Sequence, residues 1–254
     1  MRAVFVVDVK SGQGHLVRSR ALMAELASRG WRCSMVSKPV GAVASHDVTI
    51  FDGPAFDREE AYEAASGKPV VAIVDTPGAR HVDLTVCGSA GAKPDMFQCS
   101  GCVKTHGYPP VAVCAGPQYA LLRHEFATLR SWILSDGVHT TQHGVLDIRN
   151  IKDIPADRLA SMLMNAEVVI TYAGMRAMEA ACIGVPSALL IRNEGELLNA
   201  TGLIAGGAAI SGSTWTDALL AQAALLKSMS ETGRALVDGL GCQRVADAIE
   251  RMLG

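Results

Sequence analysis

A histidine set among glycines and basic residues marks the first place where this chain could do chemistry. In "DVKSGQGHLVRSRALMAELASRG", the preceding run Val4 to Asp8 reads as a buried strand ending on a carboxylate. Leu22, Leu26 and Ala27 then share one face of a helix that closes at Gly30. Ser11, Gly12 and Gly14 would let backbone amides approach an anion at the positive end of that helix. His15 falls at its first turn, where a neutral imidazole could take a proton from water or a sugar hydroxyl. Asp8 is the candidate to orient that ring, and Arg18 adds positive charge at the same mouth. A tight turn with a satisfied histidine is the competing reading. Leu16 and Val17 occupy the expected third-glycine region and no GK[ST] follows, so neither the dinucleotide fingerprint nor a Walker loop is present.

A second loop of the same kind follows the strand expected over Val168 to Thr171, in "TYAGMRAMEAACIGVP". Ala173, Gly174 and Met175 would bring a diphosphate to a helix start, and Glu179 lies far enough inside to accept from ribose hydroxyls. "RNEGELLNATG" places Asn193, Glu194, Glu196 and Asn199 at the next strand–helix junction. Polar caps alone are the alternative. Asp75 ends the apolar run Val70 to Asp75, as a site residue or as a loop cap.

The elements that must position these residues alternate along the chain. Strands are expected at Trp31 to Ser37, Val48 to Phe51, Val82 to Val86, Val111 to Cys114, Val145 to Ile148 and in "VPSALLI". Helices are expected at Asp57 to Ala65, "YALLRHEF", Ala156 to Asn165, "NEGELLNATGLIAGG", Leu219 to Lys227 and Ala235 to Leu253. Residues 88–110 show no regular pattern. This implies an α/β protein, with ligands beyond the carboxyl ends of its strands. In 254 residues, 49% hydrophobic content with 19% charged residues argues for a filled core, and a net charge of −2 argues against nucleic acid as a partner. No apolar run is long enough for a membrane span, and "MRAVFVVDVK" reads as a core strand and not as a signal peptide. Seven cysteines fit a reduced, cytoplasmic setting better than a disulfide framework.

"GQGHLVRSRALMAELASRG", "VDTPGARHVDL" and "AGPQYALLRHEF" resemble the amino-terminal half of the UDP-2,4-diacetamido-2,4,6-trideoxy-β-L-altropyranose hydrolase family of pseudaminic acid biosynthesis. "AEVVITYAGMRAMEAACIGVPSALLI" and "NEGELLNATGLIAGGAAI" resemble its carboxy-terminal half, and are also similar to the UDP-N-acetylglucosamine transferase of peptidoglycan synthesis. The resemblance implies two Rossmann-like lobes of GT-B type, an amino-terminal one over residues 1–130 and a nucleotide-binding one over 131–254. It matches His15 to the histidine that activates water, Gly174 to the diphosphate loop, Glu179 to the ribose-binding glutamate and Asn199 to the helix beyond the sugar loop. It implies no metal and no cofactor. Two departures stand out. Glu196 aligns with the family's glutamine near the sugar, and after Arg130 only "SWILSDGVHTTQHG" remains of a strand, a "GGSD"-like loop, a helix and a strand. The shortened lobe is expected to expose surface that a homodimer would cover.

Cys87, Cys99, Cys102, His106 and Cys114 offer a Cys-x-x-Cys turn with further partners for zinc, against a reading as core or unliganded thiols. Tyr119, Arg123 and Glu125 share an amphipathic segment suited to a hinge or to packing. Three classes stay open for function. These are a hydrolase releasing UDP from a UDP-linked amino sugar, a GT-B glycosyltransferase using a UDP-sugar, and a noncatalytic nucleotide-binding or assembly protein.

Overall fold

Short β-branched runs broken by glycine and aspartate set the architecture, since each is too apolar to face water on either side. The computed structural model describes residues 1–8, 13–37, 46–53, 65, 67–78, 82–97, 112–136, 144–151, 154–213 and 222–254. These residues form two units. One contains Met1–Gly88, Ala92–Leu121 and Cys242–Gly254, and the other contains Ser89–Gly91 and Leu122–Gly241. The expected boundary at Arg130 thus falls within the second unit, and the chain returns to the first at Cys242.

The first unit is built on a six-stranded sheet of order β2-β1-β3-β4-β5-β6. Its strands are β1 (Arg2–Val7), β2 (Arg32–Val36), β3 (Val48–Asp52), β4 (Val70–Ile73), β5 (Leu84–Cys87) and β6 (Ala112–Ala115). All neighbours are parallel. Helix α1 (Gln13–Ser28) joins β1 to β2. Alternate residues of three strands, namely Ala3, Phe5 and Val7, then Val48 and Ile50, then Val71 and Ile73, form one core with Leu22 and Leu26 of α1.

The second unit carries a four-stranded sheet of order β10-β9-β8-β7, also parallel throughout. It comprises α2 (His124–Asp136), β7 (Val145–Asp147), α3 (Ala156–Met164), β8 (Val168–Tyr172), α4 (Met175–Ile183), β9 (Ser187–Leu190), α5 (Glu194–Ala205), β10 (Ala209–Ser211) and α6 (Ala223–Leu236). α7 (Gly241–Leu253) belongs to the first unit. Both units thus carry parallel sheets compatible with the Rossmann-like lobes that the sequence implied.

The differences from expectation have local causes. "YALLRHEF" is helical only from His124, because Pro117–Tyr119 makes a 3-10 turn and Ala120 leaves it extended. The two terminal helices are shifted to 223–236 and 241–253, and the break between them holds Gly239 at φ 82, where a side chain is disfavoured. The helix expected at Asp57 to Ala65 and the residues Cys99, Cys102 and His106 lie outside the described residues, apart from Ala65 itself. Cys87 and Cys114 are buried in neighbouring strands, and burial pushes the Cys114 thiol up to about 11.

α7 is pinned by charge and by core. Arg29 at the end of α1 donates to Glu25 at 2.8 Å, to Asp247 at 2.6 Å and to Glu250 at 2.9 Å, and the Trp31 indole donates to Glu250 at 3.1 Å. Val245, Ala246 and Ile249 enter the first-unit core. Ile249→Ala is expected to cost about 2–5 kcal/mol in denaturant unfolding, as for other buried large-to-small changes. A loss well under 1 kcal/mol would mean that α7 does not complete this core.

Candidate functional site

One face of α1 changes character along its length. His15, Arg18, Ser19, Leu22 and Leu26 follow helical spacing, so they line the same side. The later part of that stripe is apolar and joins the core, whereas the first turn and a half meets carboxylates at the ends of β3 and β4.

Asp52 is the hub. Its side chain is 0% exposed and receives three residues of α1. Arg18 Nε lies 2.9 Å from Oδ2, the Ser19 hydroxyl donates to Oδ2 at 2.7 Å, and His15 Nδ1 lies 2.7 Å from Oδ1. Burial opposes the ionisation of Asp52 and is the largest single influence. Arg18 and His15 together outweigh it, so the carboxyl titrates below its ordinary range. Arg18 Nη2 also lies 2.9 Å from His15 Nδ1, so the carboxylate and the guanidinium both meet the ring at that nitrogen. Arg18 is buried and its pKa is raised, the attraction of Asp52 and Asp75 exceeding the cost of burial. Its Nη1 bonds Asp75 Oδ1, and Asp75 Oδ2 stands 3.9 Å from His15 Nε2.

The residue orienting His15 is therefore Asp52. Asp8, expected in that role, donates its N–H to the Asp52 carbonyl at 2.9 Å. Strand parity explains the difference. Val7 pairs with Asp52, and Asp52 with Ile73, so Asp52 continues the core-facing set of alternate residues that includes Val7. Asp8 is one residue out of that phase. Gly14 lies exposed in the first turn of α1, and Gly12 is outside the described residues.

In the second unit Gly174 is the N-cap of α4 and provides no side-chain cap, so the first-turn N–H groups of that helix are not satisfied from the cap position. Ala173 is buried, its N–H donating to Leu190 at 3.0 Å, and Met175 begins the helix. Asn199, expected near the substrate, clamps this loop. It donates to the Ala173 carbonyl at 2.9 Å and accepts from the Ala90 N–H at 2.9 Å. Glu196 accepts from Arg192 through the Arg192 N–H at 2.8 Å and Nε at 3.0 Å, and Arg192 lies 4.0 Å over the Tyr172 ring. The Glu196 carboxylate thus has its charge met by a neighbouring guanidinium.

Glu179 has a partner the sequence reading did not pair with it. Arg123 holds both oxygens in a fork, Nε to Oε1 at 2.7 Å and Nη2 to Oε2 at 2.8 Å, and donates to the Ile154 carbonyl at 3.2 Å. The Glu179 side chain is 1% exposed, which leaves little access for a ribose. Burial raises its pKa, against the opposing pull of Arg123 and Arg176. The packing role expected of Arg123 takes the form of this fork.

No family model matches the chain, and no curated protein matches it. Solved structures do. MurG of Acinetobacter baumannii is 15% identical with a TM-score of 0.63, covering 98% of this chain and 99% of that one. The spinosyn forosaminyltransferase SpnP is 12% identical with a TM-score of 0.59, over 100% and 99%. The glycotransferase of kitacinnamycin is 17% identical with a TM-score of 0.56, again over 100% and 99%. The fold is of the GT-B type. These structures carry that fold and not the particular hydrolase family that the motifs resemble. Among the described residues, no helix is long and apolar enough to cross a membrane, and no group of three or more His, Cys, Asp or Glu could hold a metal ion.

Two expected outcomes follow from the pairs. The folded pKa of Asp52 is depressed, so its ionised form contributes stability above the unfolded carboxylate range, and that contribution is lost as pH falls through the folded value. Asp52→Asn should flatten the acid limb of the stability profile in urea melts between about pH 2 and 5. An unchanged limb would show that another carboxylate governs it. In the second unit, Glu179→Ala leaves the Arg123 charge without its carboxylate and is expected to cost about 3 kcal/mol in thermal unfolding. The double change with Arg123→Met should recover part of that loss, and simple additivity would contradict the pairing.

Proposed function

We propose that the chain is a glycosyltransferase-like enzyme acting on a nucleotide sugar, with His15 as general base and Asp52 as the residue that positions it. The observation that carries this reading is the Asp52–His15 pair, which holds the imidazole by Nδ1 at the start of α1 and leaves Nε2 outside that contact. The GT-B fold shared with MurG and with the spinosyn forosaminyltransferase supports transfer over the other classes. For the donor, the uncapped start of α4 at Gly174 suits a diphosphate, which would leave with its charge held by backbone N–H groups and the helix dipole. UDP is the nucleotide the motif resemblance favours. Asn199 holds the loop in place, and Glu196 with Arg192 closes the next strand–helix junction.

Hydrolysis is the second reading, resting on the motif resemblance to the pseudaminic-acid hydrolases. The same base would then act on water, so the two readings share His15 and differ in the nucleophile.

The test is incubation with UDP-, dTDP- and CDP-sugars, with and without acceptors, while free nucleotide and free sugar are measured separately. His15→Ala is expected to lower nucleotide release by about a hundredfold to ten-thousandfold. Full activity in that variant would remove His15 from the mechanism. Tight nucleotide binding by calorimetry without turnover of any sugar would instead favour a noncatalytic protein.

A further inference from the structure

Asn199 is buried, and both ends of its side-chain amide are spent on main chain. Oδ1 accepts from the Ala90 N–H at 2.9 Å, while Nδ2 donates to the Ala173 carbonyl at 2.9 Å and, more loosely, to the Gly174 carbonyl at 3.4 Å. A backbone N–H only donates and a carbonyl only accepts, so these partners allow one orientation of the Asn199 amide. Ala90 lies on Ser89–Gly91, a stretch of the β5–β6 connection that belongs to the second unit. Two glycines let that stretch come so near. Gly202 stands inside α5, where glycine is a poor helix former. A Cβ there would lie 2.6 Å from the Ala90 oxygen, and closer still to the Ala90 carbonyl carbon and the Gly91 nitrogen. A Cβ on Gly91 would in turn strike the Leu198 carbonyl oxygen. The contact is backbone on backbone, and neither glycine can gain a methyl group without parting it.

We propose that the Ser89–Gly91 segment positions the nucleotide loop at Ala173–Gly174 through Asn199, with Gly91 and Gly202 as the residues that admit it. The inference rests on the nucleotide-sugar reading and deepens it, by naming what sets that loop for a diphosphate. A trans peptide points its N–H opposite to its carbonyl. The Ala173 carbonyl, held by Asn199, turns the Gly174 N–H back onto the Tyr172 carbonyl, which it meets at 2.8 Å. The Gly174 carbonyl, drawn the same way, turns the Met175 N–H away from Asn199 at the start of α4.

Loss of the Ala90 N–H would leave a buried Oδ1 without its donor. The amide is then free to turn over in search of another, and each turn takes Nδ2 away from the Ala173 carbonyl. The loop loses the donor that fixes its carbonyls, and the Met175 N–H loses its direction. Ala90, Gly91 and Gly202 need not touch the nucleotide for this. They are positioning residues that act through Asn199.

The experiment is calorimetry with UDP on the full chain, well below the melting temperature of each variant. Gly202→Ala should favour α5 as a helix and oppose only the close approach of Ala90 and Gly91. It is expected to raise the UDP dissociation constant about three- to tenfold, the worth of one hydrogen bond, and Gly91→Ala to do the same from the loop side. Ile249→Ala weakens the first-unit core and should leave that constant unchanged, because lost stability alone does not alter the affinity of folded molecules. Wild-type affinity in either folded glycine variant would overturn the proposal, as would an equal loss in Ile249→Ala. If the wild type binds none of UDP, dTDP and CDP, the nucleotide reading fails, and the relay is judged by nitrogen-15 NMR. The Gly174 and Met175 amide signals should move in Gly202→Ala or Gly91→Ala and stay in place in Ile249→Ala. Unmoved signals in a folded glycine variant would overturn the relay itself.

Discussion

A buried guanidinium holds the first site together. Arg18 lies against two carboxylates from two strands, and neither the cation nor Asp52 could stay out of water without the other. The arrangement costs desolvation energy that apolar residues would not cost. What it returns is geometry. Asp52 stays ionised in the interior and gathers His15, Arg18 and Ser19 on one carboxylate. The placement of the imidazole is thus decided by a carboxylate that solvent never reaches.

The second unit uses the same device for different ends. Arg123 with Glu179 fastens α4 to the chain segment just ahead of α2, and Arg192 with Glu196 closes the entry to α5. In both, a carboxylate on a helix is met by an arginine from a neighbouring loop. The difference lies in exposure. The Glu179 pair is shut in, while Arg192 remains more than half exposed over Tyr172. Charged residues near a helix start can thus read alike in sequence and differ sharply in burial.

Much of the fold was legible because its signals are local. Buried parallel strands write themselves as short apolar runs, and the alternation with helices needs no long-range knowledge. β10 was missed since three residues, Ala209–Ser211, are too few to show a period. His15, Arg18 and Asp75 were legible from type and position. Asp52 was not, although "VTIFDG" ends on a carboxylate just as "VFVVDV" does. Both aspartates close a strand, and only the register between neighbouring strands tells which one shares the phase of α1's apolar stripe. Asn199 and Glu179 were marked as polar residues beside a glycine loop. Their partners, Ala90 and Arg123, lie far away in sequence, and no spacing rule reaches that distance.

The return of α7 to the first unit bears on how the chain matures. Residues 1–121 leave the ribosome with Phe5, Leu22, Leu26 and Ile50 lacking the helix that packs with them. About 120 further residues must be made before Cys242, which at ordinary translation speed is on the order of ten seconds. Throughout that interval an apolar face waits for Val245 and Ile249. Completion of the first-unit core therefore waits until synthesis has passed Ile249.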